Sequence, residues 1–157
     1  MNWLPYDDPD LPAISRLYIQ FDLAEIPKES IIDSATLYLY PNKALDGSEG
    51  WKNNGNHFYD SLPNKFSYYQ ILDSWDEQTI SWVNIPLVSD VASGQYGPVL
   101  GMKIIELDFK ELAQLWVNNP SSNHGIFLKL DEERSNQRIV VGSTESSYQP
   151  KIVVTYN

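Results

Sequence analysis

The sequence predicts an all-β fold, a jelly-roll-like antiparallel β-sandwich carrying one short α-helix. Stretches in which apolar and polar residues alternate with a period of two recur along most of the 157 residues, as strands with one buried face require. Clusters of Pro, Gly, Asn and Ser punctuate them, a spacing that points to an antiparallel sandwich rather than to βαβ units. A single segment breaks the pattern with helical spacing.

Residues 16–22 place Leu17, Ile19 and Phe21 on one face and Arg16, Tyr18, Gln20 and Asp22 on the other. Residues 36–40 turn Leu37 and Leu39 inward, and Ala35 leaves room for close packing. Residues 66–72 read as the next strand. Residues 79–83 follow, with Asp76 and Glu77 stopping the preceding element and Pro86 closing this one. Further strands are expected at residues 102–107, 126–130, 139–141 and 151–156. The helix is expected over residues 108–118, where Phe109, Leu112, Ala113 and Trp116 share one face. Asp108 suits its N-cap, Glu111 fits the capping-box spacing, and Asn118-Asn119-Pro120 ends it. The connection over residues 41–64 is the longest without a strand pattern, and loops of that length tend to carry function.

Bulk properties narrow the function. The length suits one domain, residues 1–157, with a core that needs neither disulfide nor metal; the chain has no cysteine. A net charge of −10 repels phosphate backbones and anionic head groups, which argues against nucleic-acid and membrane partners and leaves neutral glycans and proteins open. No apolar run approaches the ~18 residues of a membrane span.

Catalysis needs a paired acid and base, or a nucleophile with its base. Only His57 and His124 are available as imidazoles, and no nucleophile-elbow, zinc-helix or phosphate-loop motif occurs. Asp76 and Glu77 are adjacent, and on a strand they would point to opposite faces, unable to straddle one bond. No catalytic residue is therefore assigned. Hard oxygen ligands for a structural calcium are available in Asp7, Asp8 and Asp10 and, less suitably, in the Asp131-Glu132-Glu133 run, which reads as a solvated turn. Sugar recognition needs ring faces for pyranose C–H edges beside amide and charged groups for hydroxyls. The loop over residues 41–64 has that composition, with Trp51, His57 and Tyr59 beside Lys52 and Asn54. The same rings could instead staple the loop to the sandwich.

An ordered set of motifs adds to this reading. Arg16 opens a strand ending in Phe21-Asp22-Leu23, Ile26-Pro27 follows, and then Ala35, Leu37 and Leu39-Tyr40. Trp75, Glu77, Ser81-Trp82 and Pro86 form a central block. A helix ending at Trp116, then Gly125-Ile126, leads to a final strand marked by Ser143, Glu145, Pro150, Ile152, Val154 and Tyr156. In order and spacing the set resembles the DNRLRE domain family, carbohydrate-binding-module-like domains of bacterial and archaeal surface or secreted proteins, from about residue 15 to the end. The resemblance implies a non-catalytic, carbohydrate-binding accessory module of an extracellular or cell-surface protein, with a polysaccharide and neighbouring domains as partners. A structural or adhesive module without a sugar site is the alternative, and a polysaccharide-degrading enzyme a more distant one. The resemblance also makes Trp75 and Trp82 core residues, and the helical spacing does the same for Trp116. It further implies a strand preceding the Arg-led one, so the first strand's edge is expected to be covered by residues 1–13 or by another chain or domain.

Overall fold

A computed structural model describes residues 14–41, 64–99, 103–133 and 139–157. Seven strands and one helix follow in the order β1 (Leu17–Ile19), β2 (Ile32–Leu39), β3 (Asn64–Gln70), β4 (Gly94–Val99), β5 (Ile105–Asp108), α1 (Lys110–Asn118), β6 (Ile126–Leu130) and β7 (Lys151–Tyr156). They form two antiparallel sheets, β1-β6-β3-β4 and β5-β2-β7. The expected all-β sandwich with one short helix is what the chain adopts.

The alternation of apolar residues dictates how the layers meet. Ile19, Phe66, Tyr68, Ile126 and Leu128 from the four-stranded sheet close on Ala35, Leu37, Leu39, Ile105 and Leu107 from the other. In β2 the pattern is broken after Ile32, where two exposed residues, Asp33 and Ser34, precede Ala35. A bulge there absorbs the extra residue and returns Ala35 to the core face. The broken alternation also hid the strand's first four residues from the period-two reading.

The helix lies against this core through Leu112, Ala113, Trp116 and Val117, with Trp116 only 1% exposed and edge-on to Phe109. Asp108 is not its N-cap. That place belongs to Phe109, without a side-chain cap, because Asp108 is still paired with Thr36 in β5. The Asp108 carboxylate instead accepts the Lys110 N–H at 3.1 Å. Gln114 ties the helix to β2, accepting the Ile32 N–H at 2.9 Å and donating to the Ser30 carbonyl at 3.0 Å.

Three strand expectations change. β4 was not expected, since two glycines and a proline interrupt its sequence Gly-Gln-Tyr-Gly-Pro-Val. It lies at the sheet edge, where proline is tolerated, and Gly94 is required because the Tyr68 ring covers its α-carbon. Around residues 139–141 there is only a bridge from Val141 to Pro41, because the chain turns away at once, the Ser143 carbonyl accepting from Ser146 at 3.1 Å. The third change, at residues 79–83, shapes the site.

Candidate functional site

The outward face of the four-stranded sheet carries a row of rings. Register sets Tyr18 opposite Phe127, and Phe127 opposite Tyr69. Their centroids lie 5.2 Å and 6.0 Å apart, tilted as aromatic quadrupoles prefer. Beside this row Ser67 stands opposite Lys129 on one side and Gln95 on the other. Asp131 closes the polar row, accepting from Ser67 Oγ at 2.6 Å and Gln95 Nε2 at 2.5 Å. Lys129 Nζ sits 5.7 Å from the Tyr69 centroid.

The connection from β3 to β4 supplies further groups. A strand at residues 79–83 is ruled out by local competition for the backbone. Asp76 Oδ1 accepts the Gln78 N–H at 2.7 Å, and its carbonyl accepts those of Thr79 and Ile80. Asn84 Oδ1 takes the Ser81 N–H at 2.6 Å and the Ser81 hydroxyl, while its Nδ2 donates to the Thr79 carbonyl. At the base, Leu72 N–H bonds the Leu87 carbonyl at 2.8 Å and Leu87 N–H bonds Asp73 Oδ1 at 2.7 Å. The result is a self-bonded loop. A shallow cleft of about 290 Å³ is lined by Ser74, Trp75, Asp76, Thr79, Ile80 and Asn84. The groove on the other sheet, between Asp33–Thr36 and Glu106–Lys110, has no aromatic ring in its lining.

The two tryptophans of this loop have different settings. Trp75 is half-buried, stands 5.7 Å from Tyr18, and donates its Nε1–H to the His124 carbonyl at 2.8 Å. Trp82 is 60% exposed. Its described ring partner is the Arg16 guanidinium, whose central carbon is 4.9 Å from one centroid and 5.7 Å from that of buried Phe127. Glu133 grips the same guanidinium side-on, Nε to Oε1 at 2.9 Å and Nη2 to Oε2 at 3.0 Å. This hydrogen bond holds the Glu133 carboxyl below its ordinary pKa and raises that of Arg16, against the opposing effect of burial. Burial raises the Tyr18 phenol, the nearby Arg16 charge opposing it.

Residues 7–156 match carbohydrate-binding module family 96. The chain belongs to that family. Neither a curated protein nor a solved structure matches it. Membership makes this chain a carbohydrate-binding module.

Within this module of family 96, the residues expected from sequence to touch sugar, Trp51, Lys52, Asn54, His57 and Tyr59, lie outside the described residues. So do the expected calcium ligands Asp7, Asp8 and Asp10. Among the described residues no three His, Asp or Glu side chains gather to hold a metal, and no helix is long and apolar enough to cross a membrane. Trp116 is buried as expected, whereas Trp75 is only half-buried and Trp82 is not a core residue. Trp82 was misassigned with the strand around it. The turn-forming side chains Asp76, Ser81 and Asn84 were the available signal that the backbone would close on itself. Nor is the Asp131–Glu133 run a merely solvated turn, since Asp131 binds the sheet face and Glu133 binds Arg16.

Proposed function

We propose that this chain is a non-catalytic accessory module of an extracellular or cell-surface protein, and that it holds a glycan against Trp82 and the adjoining Trp75 cleft. The observation that carries this reading is the 60% exposure of Trp82 on a loop fixed by its own hydrogen bonds. A large ring held open to water in a rigid frame stabilises the fold little, and it presents the flat apolar surface on which pyranose C–H faces stack. In the cleft of the same loop, Ser74, Asp76 and Thr79 offer polar groups for hydroxyls, while the Asn84 amide holds the loop itself.

The glycan class follows from charge. The Arg16 charge is paired with Glu133, and Asp76 and Glu77 lie in the same loop, so the field favours an uncharged or weakly anionic chain over a dense polyanion. Few rings converge, so the affinity is modest. A glycan array probed with the full chain and with Trp82→Ala tests the reading. Wild-type protein should mark neutral glycans and the variant should not. Equal signals from the two would refute the site.

A further inference from the structure

We infer that Arg16, locked in place by Glu133, is the positioning residue that presents Trp82 as a stacking platform with one usable face; this rests on the reading of Trp82 as the glycan contact. The guanidinium lies over two rings, 4.9 Å from the centroid of Trp82 in the loop and 5.7 Å from that of Phe127 in the sheet. Phe127 is 5% exposed and fixed in the row with Tyr18 and Tyr69, so it gives the guanidinium a fixed surface to rest on. Glu133 fixes the plane of the guanidinium through two parallel hydrogen bonds, and a planar cation so fixed sets where a ring above it rests. The pair is 24% and 20% exposed in its side chains, enough shelter for the fork to persist.

Two consequences follow for recognition. One face of Trp82 is occupied by Arg16, so sugar reaches only the other, and the ligand is stacked from one side rather than sandwiched. Arg16 commits its Nε and one Nη2 hydrogen to Glu133, and Nη1 lies outside that fork. Its contribution as a positioning residue passes through the Trp82 ring, whose ordering before the ligand arrives lowers the cost of association. Lys129, another cation on this face, lies over Tyr69 and serves as the internal control.

The test uses the full chain labelled with 5-fluorotryptophan, the Trp82 resonance being assigned with Trp82→Phe. Cellohexaose and mannohexaose serve as neutral probes. In Arg16→Met and in Glu133→Gln the Trp82 fluorine signal should shift and sharpen while the Trp116 signal stays in place, which reports an intact core. Affinity for whichever hexasaccharide binds should fall at least tenfold in Arg16→Met. Glu133→Gln should be intermediate, and Lys129→Met should match wild type. An unmoved Trp82 signal in both Arg16→Met and Glu133→Gln, or a moved signal with unchanged affinity, overturns the inference. If wild-type protein binds neither probe, the reading of Trp82 as a contact for these neutral glycans falls, and the fluorine shifts still decide whether Arg16 positions the ring.

Discussion

Replacing Trp82 by alanine should cost this protein its ligand and almost none of its stability, and both magnitudes follow from the geometry. A tryptophan presents at most about 250 Å², and Trp82 keeps 60% of its surface in water. About 150 Å² is thus open, of which a sugar ring on the free face covers on the order of 100 Å². At ~25 cal/mol per Å² this is roughly 2.5 kcal/mol, or about a 70-fold loss of affinity. On the folding side, the substitution removes a cation–π contact worth about 0.5–1 kcal/mol at an exposed site. For a domain of this size the melting temperature should fall by no more than about 4 °C. Isothermal titration against the best array glycan and calorimetric melting of the same samples measure the two quantities together. A loss of several kcal/mol of stability would refute the argument, because it would mean that Trp82 holds the fold. Unchanged affinity would refute it from the other side.

Trp51→Ala tests the ring-rich loop expected from sequence to touch sugar. It should weaken binding and leave the melting temperature within a few degrees, and a collapse of the fold would favour a stapling role for that ring. Trp116→Ala should cost about 3–5 kcal/mol, since the ring it removes is fully enclosed; chemical denaturation would contradict this with a loss below about 1 kcal/mol. The Arg16–Glu133 pair gives a signed pH dependence. Its hydrogen bond depresses the folded-state pKa of Glu133 below the model-compound value of 4.5. The stability it adds is therefore present above about 4.5 and is lost as pH falls through the depressed folded value. Wild type should exceed Glu133→Gln in urea unfolding at pH 6 by more than at pH 3, and an equal gap at both would count against the ion pair.

Much of the scaffold was legible in the sequence because burial imposes its period directly. Residues 126–130 and 151–156 were placed to the residue, since nothing in them competes with the strand. Where a second physical effect intervened, periodicity misled. The bulge after Ile32 shifted the phase of β2, and glycine and proline disguised β4 as a loop. The alternating Thr79-Ile80-Ser81-Trp82-Val83 had a strand's pattern, yet Asp76 and Asn84 had already taken up the backbone hydrogen bonds that a ladder would need. The face proposed to hold the glycan was harder still to read. It depends on Arg16 meeting Glu133, 117 residues away, and on both meeting a ring in a third segment, a coincidence set by strand order rather than by local sequence.

The loop between β3 and β4 answers its own backbone with Asp73, Asp76, Ser81 and Asn84, and it is tied to the sheet by the Ile71–Val88 bridge, by Ile71 to Gly125 and Ser93 to Tyr68, and by Trp75 to His124 and Trp82 to Arg16. Several of its tip side chains face solvent, Val83 being 96% exposed. Variation at the exposed positions 77, 78, 83 and 85 can thus be sampled while those anchors and the sandwich below stay constant. A library confined to these four positions tests whether the sugar held can be changed without asking the rest of the chain to refold.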